Sequence, residues 1–216
     1  MGESTPTAAA ASLAPTTLGS PLGLNASARE RILHAAYDLF SRHGLQAVGI
    51  NSVVEHSGVA KRTLYRHFSS KDELVVEFLR MREVRWTKEW LQREVEARAA
   101  APEDRLLAIF DVFHAWFQQE DMEGCSFINV LLEVENRASP VRQATVGHLA
   151  NIRVYLEELA TGAGVASPDD FARRWHILMK GSIVAAQEGD LEAARRAQAV
   201  GRLLLERERA DLLDKS

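Results

Sequence analysis

Seven side chains between Lys61 and Lys71 carry groups that bind polyanions. Lys61, Arg62, Arg66 and Lys71 offer positive charge, Thr63 and Tyr65 offer hydroxyls, and His67 adds a ring nitrogen. Such groups hold phosphate oxygens and fix the register of a protein on a duplex, while a guanidinium or amide that reaches a base edge reads sequence. Their spacing supports one surface. Leu64 and Phe68, four residues apart, face inward on a short helix and leave Lys61, Arg62, Tyr65, Arg66 and His67 on or near its outer face. A basic outer face of that kind suits a major groove. The other reactive types are sparse: Cys125 with His114 is the one pairing that resembles a nucleophile and its base. No third group orients it, no oxyanion motif accompanies it, and a lone cysteine is usually a small hydrophobe.

A recognition surface needs elements that hold it. Val53 and Val54 are followed by Glu55, His56 and Ser57, and Gly58 then supplies the permissive backbone that a tight turn between two helices requires. The stretch from Val48 to Leu74 therefore reads as a helix-turn-helix that exits into a third helix. An ordinary helical hairpin with a solvated charged face has the same spacing.

The residue identities separate the two. The run GVAKRTLYRHFSSKDEL is similar to the signature of the tetracycline-repressor (TetR) family of bacterial regulators, with Gly58, Val59, Leu64, Tyr65, His67, Phe68, Lys71 and Leu74 in place. The motif resemblance covers residues 27–78, and beyond them it rests on length and helical layout. It implies that Tyr65, His67 and Lys71 hold backbone phosphates, and that Lys61, Arg62, Thr63 and Arg66 approach bases. The sequence departs from the pattern at Ala60, where the family usually has a capping serine, and at Val48 and Gly49, where it usually has threonines. Asn51 and Ser52 are left as the polar residues able to meet phosphate there.

The 216 residues are 46% hydrophobic and 26% charged, enough to bury a sizeable core in one or two domains. No apolar run approaches the ~18 residues of a spanning helix, and the N-terminus lacks the pattern of a secretory signal. The single cysteine suits a reducing compartment, so the expectation is a cytoplasmic protein with no membrane partner. A net charge of −4 divides unevenly: residues 27–85 hold ten Lys or Arg against seven Asp or Glu, and the rest holds 16 against 23. The basic character is local, which is where phosphate binding needs it.

Residues 1–26, rich in Ala, Thr, Ser, Pro and Gly, read as a disordered tail without the Arg and Lys of a minor-groove arm. Residues 27–72 are expected to form a three-helix DNA-binding unit. Its first helix opens on a capping box at Ser27 and Glu30 and stops at Gly44, and Ser70 with Glu73 repeats the capping box. The long fourth helix that follows carries Leu74, Phe78, Val84, Trp86, Trp90 and Val95 inward and leaves the head for the rest of the chain. Residues 73–216 read as an all-α ligand-binding and dimerisation domain, making the fold class all-α throughout.

Within that second part, Phe110, Phe113, Trp116, Phe117 and Phe127, with Trp86, Trp90, Trp175 and Met179 from other helices, line either an apolar ligand pocket or a plain core. The resemblance favours the pocket, with His114, His148 and His176 as candidate orienting groups. It also places a homodimer interface on the last two helices, where Ala193, Ala194, Ala197, Val200, Gly201 and Leu204 make a small-residue face and Gly201 is expected at the closest crossing between copies. No spacing of His, Cys or carboxylates suggests a metal site, and no cofactor is expected. The functional expectation is a ligand-responsive regulator, most often a repressor in this family, that binds a palindromic double-stranded DNA operator as a dimer and is released by a small apolar or aromatic effector. An architectural DNA-binding protein with a solid second domain is the alternative.

Overall fold

The structure is a computed structural model that describes residues 26–213, and among them every regular element is helical. The expected tail lies, except for Ala26, outside the described residues. No described helix is long and apolar enough to cross a membrane. Three helices form the N-terminal unit: α1 (Ala28–Ala47), α2 (Ile50–Ser57) and α3 (Lys61–His67). The fourth, α4, runs unbroken over residues 71–98 as three consecutive segments, and α5 (Pro102–Phe117), α6 (Ser126–Glu133), α7 (Pro140–Gly162), α8 (Pro168–Gln187) and α9 (Ala193–Leu213) follow.

Helix α1 begins where the sequence says it should. Ser27 Oγ accepts the Glu30 N–H at 3.2 Å and a Glu30 carboxylate oxygen accepts the Ser27 N–H at 2.8 Å, the two halves of a capping box. Gly44, at φ 74 and ψ 173, breaks the helical path, and one further turn carries the chain to Ala47. The second capping box is only half formed. The Glu73 N–H reaches Ser70 Oγ at 3.1 Å, whereas its carboxylate reaches past Ser70 to the Ser69 N–H and hydroxyl, both at 2.7 Å.

Helix α4 explains itself through a four-residue repeat. Its buried positions fall at 74–75, 78–79, 82–83, 86–87, 90–91 and 95. In an α-helix each four-residue step over-rotates by about 40°, so such a stripe would wind off the core within a few turns. Between Glu83 and Gln92 the chain widens into π-helical turns, which rotate less per residue and bring the stripe back. Val84, expected inside from its spacing, is 40% exposed as a result.

Around α4 the remaining helices close a single aromatic-rich core. Helix α8 packs between α7 and α9, α9 also packs on α5, and α4 runs along α7 and back to α1. Phe110, Phe113, Trp116, Phe171 and Trp175 are fully buried at the centre. The small-residue face of α9 is used here, inside one chain: a Cβ on Gly201 would lie 2.7 Å from the Trp175 ring. This corrects the expectation that Gly201 marks the crossing between two copies. The glycine instead lets α9 approach α8 closely enough to bury a tryptophan.

Candidate nucleic-acid interface

The helix-turn-helix is built from a turn and a small core. Gly58 takes the left-handed conformation, φ 65 and ψ 22, and donates its N–H to the carbonyls of Val54 and Glu55, so α2 ends as the sequence requires. Val53, Val59, Leu64 and Phe68 are buried in the same core as Ile32, Ala36 and Phe40 of α1, and α1 packs on both α2 and α3, which fixes α3 relative to α2. Helix α3 starts at Ala60 with no side-chain cap, and the Phe68 N–H closes its last turn on the Leu64 carbonyl. A cap of that kind is worth about 0.5–2 kcal/mol, so α3 depends on Leu64 and Phe68 for its position.

The structure presents most of the expected residues together. Lys61, Arg62, Tyr65 and Arg66 are exposed, Thr63 and His67 are half-buried on the same short helix, and Asn51 is exposed on the first turn of α2. Among the described residues Lys61, Arg62 and Arg66 have no ion-pair partner, so their charge is available to an incoming anion. Lys71 stands apart. Its ammonium donates to the Leu45 carbonyl at 2.6 Å and lies 6.0 Å from the centre of the Phe40 ring, between α1 and α4.

A polar junction that spacing alone did not reveal binds this unit to the rest of the chain. The Leu45 and Gln46 N–H groups both donate to Glu133 Oε2 at 2.9 Å, from the last turn of α6. Arg82 of α4, buried, meets Glu123 at 2.7 Å and the Tyr37 hydroxyl at 3.1 Å. Burial pushes the Glu123 carboxyl up to about 7, against the pull of the Arg82 charge. Next to it, buried Glu83 accepts from the Asn151 amide at 2.6 Å, and its other carboxylate oxygen lies 2.5 Å from His148 Nδ1, both residues on α7. The one sequence signal was an arginine and a glutamate at 82–83, on the otherwise apolar stripe of α4.

The aromatic candidates divide. Trp86 and Trp90 of α4 lie 5.1 Å apart between ring centres, and Trp116 lies 5.1 Å from the first and 6.2 Å from the second. Phe113 and Phe117 join them, at 5.7 and 5.5 Å from Trp116, and Phe110 links Phe113 to Trp175 at 6.4 and 5.4 Å. Phe127, by contrast, lies against His148 with ring centres 5.4 Å apart and planes tilted by 40°, and Met179 is buried one turn beyond Trp175. Within this set the indole N–H groups of Trp86, Trp116 and Trp175 find no protein acceptor. His176 is buried, and burial with nearby Lys180 and Arg153 pushes its pKa down to about 3, leaving a neutral ring. Burial pushes the Cys125 thiol up, away from the thiolate that a nucleophile needs. Among the described residues no group of His, Cys and carboxylates is placed to hold a metal.

Comparison with known proteins places these elements. Residues 32–78 match the family of bacterial regulatory proteins, tetR family, and residues 102–200 match the tetracyclin repressor-like C-terminal domain. The HTH-type transcriptional regulator QacR of Staphylococcus aureus is 30% identical over 70 residues, covering 32% of this chain and 37% of that protein. The regulator LmrA of Bacillus subtilis is 30% identical over 121 residues, covering 54% and 62%. The chain thus spans less than two thirds of the length of these relatives. Among solved structures, a TetR-family transcriptional regulator from Streptomyces coelicolor superposes with a TM-score of 0.72 at 25% identity, over 83% of this chain and 94% of that one. The reduced form of Escherichia coli NemR gives a TM-score of 0.73 at 20% identity, over 81% and 94%, and shares the fold. With the helix-turn-helix and the helical second part each matched, the chain belongs to the TetR family of transcriptional regulators, which is not a family of enzymes.

Proposed function

We propose that this protein is a cytoplasmic, ligand-responsive repressor that binds a palindromic DNA operator as a homodimer and is released by a small apolar or aromatic effector. Residues 27–72 are the DNA-binding unit and residues 73–216 the effector and dimerisation domain. The observation that carries the reading is the exposed, unpaired cluster of Lys61, Arg62 and Arg66 on a helix fixed by Gly58, Leu64 and Phe68. Asn51, Thr63, Tyr65 and His67 complete the contacts, and Lys71 serves phosphate only after leaving the Leu45 carbonyl. One recognition helix reads few bases, so affinity requires two copies with helices about 34 Å apart. The last two helices carry the dimer: Ile177, Val184, Val200 and Leu203 are large, apolar and exposed along α8 and α9.

The effector site is assigned to the region where α4 meets α5, with Trp175 of α8 joined through Phe110, because α4 both follows the DNA-binding unit and carries Trp86 and Trp90. A molecule that separates these rings moves α4, and the displacement changes the spacing of the two recognition helices. The unpaired indole N–H groups offer such a molecule hydrogen bonds that the protein leaves unmade. The close contact among the same rings favours the architectural alternative, in which the second domain is solid. Selection of binding sequences from a random pool of duplexes separates the readings. The repressor reading expects enrichment of an inverted repeat, and a pool that stays random after selection overturns it.

A further inference from the structure

Gly181 lies in the middle of α8, where glycine weakens a helix relative to alanine. Among the described residues nothing asks for it. A Cβ there would meet no atom within 4 Å, whereas the same test at Gly201 finds the Trp175 ring. The flanking ridge is apolar and open to solvent, with Ile177 64% and Val184 41% exposed. A helix face that omits a side chain at its centre and keeps branched apolar flanks admits another helix at close range.

The ridge has a groove on each side. One, of about 350 Å³, opens toward α9 at Ala193, Ala197 and Val200. The other, of about 460 Å³, opens toward α6 and α7 at Leu131, Leu132 and Leu149. Both grooves include Ile177, Gly181 and Ala185, so they are continuous across the ridge. Leu132 is 76% exposed, more than any other large apolar side chain described. Lys180 and Glu188 line the α6-side groove on the same helix. A two-fold arrangement of antiparallel α8 helices pairs these opposite charges across the axis, the self-complementarity that an isologous interface needs.

We propose that a second copy of this chain crosses α8 between Gly181 and Val184 and covers both grooves, so that the dimer interface takes in the last turn of α6 at Leu132 as well as α8 and α9. The inference rests on the dimer reading above and extends it to an element outside the last two helices. Its consequence is mechanical. Leu132 is followed by Glu133, whose carboxylate holds the Leu45 and Gln46 amides ahead of α2. One helical turn therefore touches the partner and holds the DNA-binding unit, which ties the position of each recognition helix to the dimer axis.

Sedimentation velocity of the full chain across a dilution series tests this, with Leu132→Asp, Gly181→Leu and Val200→Asp compared with wild type. Far-UV circular dichroism checks the fold of each variant. The expected result is a wild-type dimer whose dissociation constant rises at least tenfold in all three. If Val200→Asp dissociates the dimer while Leu132→Asp dimerises as wild type does, the interface is confined to α8 and α9, and the extension is overturned with the dimer reading intact. A monomeric wild type, or three variants that all dimerise normally, overturns the dimer reading itself and the extension with it. Should Leu132→Asp lose helix content, Leu132→Ala decides: a dissociation constant raised about threefold supports the extension and an unchanged one refutes it.

Discussion

Substituting Glu133 measures how firmly the helix-turn-helix is held from the second domain. An α-helical hydrogen bond needs the three residues it spans to be helical, so the break at Gly44 denies the Leu45 and Gln46 N–H groups their usual carbonyls. A single carboxylate oxygen takes both at 2.9 Å. Hydrogen bonds to a charged group contribute about 1.5–3 kcal/mol, and an unpaired amide costs more when buried. Leu45 is buried and Gln46 is exposed, so water replaces the lost partner at the second amide but not the first. Glu133→Ala should therefore cost ~2 kcal/mol, and Glu133→Gln, which keeps an oxygen but not the charge, about half as much. Hydrogen exchange at the Leu45 and Gln46 amides reads this directly. The alanine variant is expected to exchange roughly thirtyfold faster at Leu45, with the glutamine variant between it and wild type. Unchanged protection in Glu133→Ala would mean that the carboxylate does not hold the turn, and the link from α6 to the DNA-binding unit would be lost.

Three further sets of substitutions address separate parts of the molecule. Arg62→Ala and Arg66→Ala should relax discrimination among operator variants, whereas Tyr65→Phe should weaken all duplexes alike; equal losses in an operator series would erase the division between base and phosphate contacts. Gly201→Ala should destabilise the chain by ~1–3 kcal/mol in chemical denaturation, because the new methyl meets the Trp175 ring at 2.7 Å, and a more stable variant would contradict the packing. Glu123 should make stability fall as pH rises. Its folded-state pKa, about 7, lies above the ordinary 4.5, so its contribution is full below pH 4.5 and is lost as pH climbs through 7. Thermal unfolding from pH 4.5 to 8 should show wild type losing on the order of 1–3 kcal/mol relative to Glu123→Gln, and parallel curves would show that Glu123 does not titrate there.

The helix-turn-helix was legible because its determinants are local. Gly58 must end α2 whatever surrounds it, and the four-residue spacing of Leu64 and Phe68 leaves the basic side chains of α3 outside. Features set by distant neighbours were not legible. An ammonium such as that of Lys71 suits a phosphate or a carbonyl equally, and only the break at Gly44 brings the Leu45 carbonyl within its reach. A glycine in an apolar helix reads alike whether it faces its own chain, as Gly201 does, or open space, as Gly181 does. Val84 was misplaced because an α-helical period was applied to a segment whose four-residue repeat requires wider turns. The aromatic stripe of α5 was legible as buried, yet whether buried rings enclose a ligand depends on gaps between helices, which periodicity does not encode.

The charge of the N-terminal unit also reads differently once its partners are known, with a measurable consequence. Of the ten cations in residues 27–85, Arg29 pairs with Glu77 at 2.7 Å, Arg82 with Glu123 at 2.7 Å, and Lys71 is turned to the Leu45 carbonyl. While those bonds stay made they hold helices together and release no counterions when DNA arrives. The cations free to do so on the recognition helix are Lys61, Arg62 and Arg66. Each cation brought into the phosphate field of a duplex, whether its hydrogen bonds end on a phosphate or on a base edge, contributes about 0.9 to the slope of log affinity against log salt, so α3 supplies roughly 2.7 per copy and about 5 for a dimer. Fluorescence anisotropy with a labelled operator between 50 and 300 mM salt, roughly the range where such slopes are linear, measures it. A slope near −5 that drops by about 2 in Lys61→Ala, one charge from each copy, fits this assignment. A wild-type slope steeper than about −8 would show that cations outside α3, such as Arg31 and Arg42 of α1, carry much of the binding.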